Sequence, residues 1–298
     1  VELLGKEAAV YVPSGTMSNA LALLSQTRPG DEVILDRNCH IFNYEAASAS
    51  TLGGIQLYPL DGPGGLLPIE QLPSVVRPID VHYPRTSMVS VENTHNRAGG
   101  RIYPFDQLEE VAGFARGRGL RIHMDGARLA NASVVTGIPF ERYGALADSV
   151  TFSFSKGLGA PVGSILISDA ETIGRARFWR KRLGGGMRQA GLLAAACLYS
   201  LDNNIERLSE DHEKAARIGE MIESSSKLKL TFPVETNIVI FETADDSIDI
   251  EEFRQSLEEY GVFALSFGGR SMRMVTHLDI SSDDMICLET VMSNVLGS

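Results

Sequence analysis

Short apolar runs alternate with segments of helical spacing along the first two thirds of the chain. Val10–Val12, Glu32–Leu35, Ile55–Leu57, Met88–Glu92, Leu120–Met124, Ser149–Phe154 and Ser164–Ser168 read as strands. They are brief, apolar and bounded by turn-forming residues. Between them, Met17–Leu24, the Ala-rich His40–Ser50 and Asp106–Arg116 have helical periodicity, and Ser14 is placed to cap the first. Val1–Ala9 reads as the end of a helix with no cap before it, so the chain is expected to start inside a larger protein. This alternation predicts an α/β fold with a doubly wound, mostly parallel sheet. Ligands bind such sheets beyond the carboxyl ends of the strands, and polar clusters follow those ends here.

The pattern changes near Gln189. Gln189–Ser209 predicts one long helix between domains. Lys229–Phe232, Asn237–Glu242, Val262–Ser266 and Ser271–Thr276 then read as strands, flanked by helices over Asp249–Glu259 and Ser282–Leu296. The expected division is a large α/β domain over 1–205 and a small C-terminal α+β domain over 206–298.

Composition excludes several classes. With 44% hydrophobic residues in 298, the chain is not expected to be disordered. No apolar run approaches the roughly 20 residues a membrane helix needs. A formal charge of −11 argues against a nucleic-acid partner, yet allows a few arginines to hold a small anion. Cys39, Cys197 and Cys287 are far apart and form no CxxC or Cys/His cluster, so neither a disulfide framework nor a metal site is expected. A reducing cytoplasm is the simplest compartment.

Candidate chemistry follows the strand ends. Lys156, in Ser155-Lys156-Gly157, is a solvated lysine on the plain reading. On the sharper one it is a Schiff-base amine whose pKa is lowered by enclosure. Gly157-Leu-Gly159-Ala-Pro-Val-Gly163 could pass for a dinucleotide loop, but Pro161 blocks the required helix and a strand follows. Asp125, in His123-Met124-Asp125-Gly126-Ala127-Arg128, is either a helix cap or an acceptor for a protonated heterocycle nitrogen. Ser14-Gly15-Thr16 opens a helix whose N-terminus suits a phosphate. Arg175–Arg188, with Gly184-Gly185-Gly186 inside it, is the chief positive concentration. His40, His82 and His95 lie near expected strand ends.

Taken in order, Pro13-Ser14-Gly15-Thr16, His40, Glu92-Asn93-Thr94-His95-Asn96, His123–Arg128, Ser153–Gly157 and Gly184–Gly191 closely resemble the low-specificity threonine aldolases. That resemblance extends to Arg273 near the C-terminus and implies fold type I of the pyridoxal-phosphate enzymes. It implies that Lys156 forms the Schiff base with pyridoxal 5'-phosphate, that His40 stacks on the ring and that Asp125 meets the ring nitrogen. Gly15 and Thr16 would hold the phosphate, joined by Lys181 and Arg188 from a neighbouring subunit of a homodimer or homotetramer with shared sites. Arg128 and Arg273 would clamp the α-carboxylate, Arg128 lying beside the cofactor. His82 would contact the β-hydroxyl, with His95 a weaker catalytic candidate supporting its loop. The implied reaction is retro-aldol cleavage of threonine or allo-threonine to glycine and acetaldehyde. A β-eliminating lyase of the same fold, or a PLP binder inactive for lack of an N-terminal arm, is the alternative. The N-terminal arm that the resemblance implies has no counterpart in this sequence, so the chain is expected to be N-terminally truncated.

Overall fold

The computed structural model describes residues 1–244 and 248–296. Seven strands form the larger sheet: β1 (Ala8–Val12), β2 (Asp31–Asp36), β3 (Gln56–Leu60), β4 (Arg85–Glu92), β5 (Arg121–Gly126), β6 (Ser149–Ser153) and β7 (Ser164–Ser168). Their spatial order is β1-β7-β6-β5-β4-β2-β3, with β7 antiparallel to both neighbours and the remaining pairs parallel. The central strands are buried on both faces, as parallel strands covered by helices must be. Val33, Ile34, Val89, Ile122, Met124, Val150 and Phe152 are all buried.

Residues Ala8 and Ala9, read from sequence as helix, instead begin β1, paired with Ser168 and Ile167. Only a 3-10 turn at Glu2–Leu4 precedes them. As the edge strand laid against β7, this segment forms ladder pairs that override alanine's intrinsic helix propensity. The expected helix His40–Ser50 is two short ones, His40–Asn43 and Ser48–Gly53, because Ala46 and Ala47 take positive φ of 51° and 55°. The expected long helix over Gln189–Ser209 is likewise divided into Gly191–Asn204 and Leu208–Ser224.

Helix α1 (Gly15–Gln26) packs on β5, β6 and β7. Its N-cap Ser14 accepts a hydrogen bond from Met17 N at 3.2 Å. Capping of this kind contributes about 1 kcal/mol. A second, antiparallel sheet has the order β10-β11-β9-β8, with β8 Leu228–Leu230, β9 Ile238–Thr243, β10 Leu265–Ser266 and β11 Ser271–Val275. It carries its own apolar core, including Phe241, Phe253, Leu257 and Met272. The expected division after residue 205 falls in the turn between Gly191–Asn204 and Leu208–Ser224. No described helix is long and apolar enough to cross a membrane.

Candidate active site

Five strand ends build the site. β1 leads into Ser14-Gly15-Thr16, β2 into His40, β4 ends at Glu92, β5 at Asp125-Gly126 and β6 runs into Lys156. All five strands are mutually parallel, so these residues gather at one edge of the sheet. Register completes the placement: Glu92 lies opposite Asp125, and Asp125 opposite Thr151.

Lys156 is half-buried, and its side-chain amine forms no hydrogen bond or ion pair among the described residues, while its carbonyl accepts from Gly159 N at 2.9 Å. Burial, with the Arg128 charge beside it, lowers its pKa to about 8. A larger share of the amine is therefore neutral and nucleophilic near neutral pH than in a solvated lysine. Asp125 is buried; its Oδ1 accepts from Ala127 N at 3.1 Å and its Oδ2 from Asn19 Nδ2 at 2.8 Å.

His40 Nδ1 lies 2.9 Å from Glu45 Oε1. That bond raises the His40 pKa, outweighing its burial. The His40 backbone N–H donates to Glu92 Oε2 at 2.6 Å, while Glu92 Oε1 accepts from Asn96 N at 2.8 Å. Glu92 thus ties the His40 helix to the loop after β4. Glu45 Oε2 is buried without a hydrogen-bond partner among the described residues.

Arg128, two residues beyond β5, and Arg273, on β11 of the smaller sheet, converge. Each donates Nη1 to the Asn96 side-chain oxygen, at 3.2 and 3.1 Å. Neither pairs with a carboxylate among the described residues, and the Nε of each is buried without a partner. Burial, then the neighbouring Arg273 charge, lowers the Arg128 pKa to about 10. Two recessed guanidinium groups facing one neutral oxygen make a receptor for a carboxylate, which can accept from both.

At the α1 N-terminus, a Cβ on Gly15 would stand 3.3 Å from Ser153 Oγ. Glycine keeps that corner open beside free helical N–H groups, where an anion fits. His40, Glu45 and Asp125 offer ligand atoms within 4.8 Å of one another. Asn19 already sets an N–H donor against both carboxylates, an arrangement that serves anionic acceptors better than a metal ion.

Other expected residues stand apart. His82 is exposed on the loop before β4, bonded through Nδ1 to Asp80 Oδ1 at 2.6 Å. That loop adjoins Arg121 and Gly119 at the amino end of the sheet. The length of β4 separates it from Glu92, roughly 23 Å by strand rise. Within one chain, therefore, the expected contact of His82 with substrate is not made. Lys181 and Arg188 are exposed, Lys181 in the last turn of Ala170–Arg182. His95 is buried: its Nδ1 accepts from Ala98 N and its Nε2 faces Asp36 Oδ1, both at 3.2 Å. It braces the loop that carries Asn96, and Gly65 (φ 80°) packs so closely that a Cβ would strike its ring.

Sequence reasoning missed Asn19, Glu45, Glu92 and Asn96 as site residues. The last two lie within the Glu92–Asn96 motif, whose spacing drew notice without assigning their roles. Asn19 and Glu45 carry no local signal, because only the fold brings them to Asp125.

Residues 1–246 match the family model described as β-eliminating lyase. The chain is 40% identical over 287 residues to the low specificity L-threonine aldolase of Escherichia coli (strain K12), spanning 95% of this chain and 83% of that protein. It is also 40% identical over 290 residues to the probable low-specificity L-threonine aldolase 2 of Arabidopsis thaliana, spanning 95% and 82%. Among solved structures, a putative L-allo-threonine aldolase from Listeria monocytogenes superposes with TM-score 0.83 at 24% identity, over 99% of this chain and 84% of that one. Threonine aldolase from Leishmania major gives 0.84 at 22%, over 99% and 86%. At those identities the structures establish the shared fold. The sequence relatives go further: the chain belongs to the β-eliminating lyase family and, within it, to the low-specificity L-threonine aldolases.

Proposed function

We propose that this protein cleaves threonine and allo-threonine between Cα and Cβ, releasing glycine and acetaldehyde, with pyridoxal 5'-phosphate as cofactor. The observation that carries the reading is the pair Arg128 and Arg273, converged on Asn96 without a carboxylate partner among the described residues, beside a Lys156 amine that is likewise unpaired among them.

The residues fit that cofactor. Lys156 offers an amine to an aldehyde, Asp125 a fixed carboxylate to a ring N–H, and Gly15 and Thr16 a helix N-terminus to a phosphate. His40, oriented by Glu45, offers a ring face for stacking. Bound at Lys156, pyridoxal phosphate supplies an electron sink for the pair left on Cα when a bond to it breaks. Arg128 and Arg273 grip the substrate carboxylate and so decide which Cα bond stands aligned for cleavage. The β-hydroxyl gives up its proton as the Cα–Cβ bond breaks, the β-carbon departs as acetaldehyde, and Cα regains a proton to give glycine.

Lys181 and Arg188 enter this scheme from a neighbouring copy, where their exposure lets them reach a partner's phosphate. His82, on its exposed loop, belongs to it in the same way. A homo-oligomer is thus part of the reading. So is a reducing cytoplasm, in keeping with three free cysteines.

Purified protein supplied with pyridoxal phosphate should release acetaldehyde and an equal amount of glycine from L-threonine or L-allo-threonine. Pyruvate from β-substituted alanines without acetaldehyde from threonine would replace the aldolase with a β-eliminating enzyme. Amino transfer from alanine to a keto acid would replace it with an aminotransferase.

A further inference from the structure

Behind Asp125 runs a thread of buried polar side chains that the reaction scheme does not use. His123 precedes Asp125 by two positions on β5, so both point to the same face. Asn19, from α1, lies over them. Asn19, His123 and Glu45 are at most 2% exposed.

The hydrogen-bond directions follow from counting donors. The Asn19 amide has two N–H groups, and carboxylates take both: Glu45 Oε1 at 2.7 Å and Asp125 Oδ2 at 2.8 Å. Its oxygen therefore faces His123 Nε2, at 3.1 Å, and must accept. Burial lowers the His123 pKa to about 4, so the ring carries one proton, and that proton is on Nε2. His123 Nδ1 then accepts from Ser149 Oγ at 2.9 Å, and Ser149 Oγ accepts from Gln26 Nε2 at 2.7 Å. Every link donates toward the two carboxylates. Such a chain polarises in one direction and favours negative charge at its end.

We propose that Asn19 is a positioning residue for the cofactor's ring nitrogen: by dividing its two donors between Asp125 and Glu45 it holds Asp125 Oδ2 in place as an acceptor and links it, through Glu45, to His40. The inference rests on the reading above, in which Asp125 meets that nitrogen. The charged groups facing Asp125 are Glu45 and His40 from the segment after β2, Glu92 from β4, Arg128 after β5 and Lys156 after β6. His95 and Cys39 lie farther back. Without Asn19, the Asp125 and Glu45 carboxylates, whose ligand atoms are within 4.8 Å, would face each other with no donor between them. Burial already raises the Glu45 pKa, and Asp125 Oδ2 would lose the donor that fixes it toward the ring nitrogen.

The test compares the parent with Asn19→Ala and Ser149→Ala by titrating pyridoxal phosphate into apo-protein, then following the bound chromophore from pH 6 to 9.5. Asn19→Ala should weaken cofactor binding about tenfold or more and move the chromophore's pH midpoint by about one unit. Ser149→Ala, at the far end of the thread, should shift both the same way by less. On L-threonine, kcat should fall more than KM rises, because Arg128 and Arg273 are untouched. If Asn19→Ala merely lowers the melting temperature and keeps the parent's affinity and pH midpoint, the proposal fails. Should Asn19→Ala not fold, Ser149→Ala decides alone, and an unchanged midpoint refutes the thread. A parent that forms no Schiff-base chromophore would instead refute the cofactor reading itself.

Discussion

The two ends of the larger sheet treat arginine in opposite ways. At the amino end, Arg85 is clamped on Asp31 and Arg77 on Glu32, while Arg121 reaches Asp148 and Asp169. The three arginines line a cleft of about 500 Å³. At the carboxyl end, among the described residues, Arg128 and Arg273 share the neutral Asn96 oxygen and no carboxylate. A cationic group already paired with a carboxylate has little left to offer a ligand. One buried against a like charge gains from any anion that arrives. Unsatisfied charge therefore locates the site, and cavity size does not.

Replacing Lys156 by Ala should have the largest effect. It removes the unpaired amine and should lower acetaldehyde release by more than about a thousandfold, with loss of the borohydride-reducible chromophore. Next, the arginines should separate by end. Arg273→Ala should raise KM for L-threonine by roughly ten- to a hundredfold, as expected when a charge-assisted contact is lost. Arg85→Ala should leave KM alone and lower stability by about 1 kcal/mol, since its side chain is 60% exposed and its ion pair partly screened. Equal changes in KM for both variants would dissolve the contrast.

A third effect concerns pH. The Lys156 pKa is depressed in the folded chain, to about 8 from an ordinary 10.5. Schiff-base formation by apo-protein should therefore speed up about tenfold per pH unit below 8 and level off above it. Between about 8 and 10.5 the unfolded chain binds the extra proton, so this group's contribution favours folding increasingly as pH rises. Stopped-flow absorbance and apo-protein melting curves would check both signs. The smallest effect should come from Ser14→Ala, which removes the α1 cap and should reduce stability by about 1 kcal/mol.

Much of this arrangement is legible in the chain because parallel strands announce themselves. A buried run such as Met88–Val91 or Ser149–Phe152 ends abruptly at Glu92 or near Lys156, and topology sends all such ends to one edge. What sequence conceals depends on contacts across the fold. The break at Ala46 and Ala47 swings Glu45 under His40, yet alanine at positive φ leaves no mark in a sequence read by periodicity. His82 reads as part of the site from its neighbourhood in sequence, whereas within one chain the direction of β4 carries it to the opposite end, so that only a neighbouring copy could supply it. Asn19 looks like an ordinary polar position of α1, and only the packing of that helix on β5 reveals what it holds.

The most direct measurement sets L-threonine against L-threoninamide, identical at Cβ and uncharged where the carboxylate was. Acetaldehyde release by the parent should favour threonine in kcat/KM by at least about tenfold, and Arg273→Ala should erase most of that preference. Equal turnover of both substrates, or no acetaldehyde from threonine, would contradict the carboxylate clamp and the aldolase built on it.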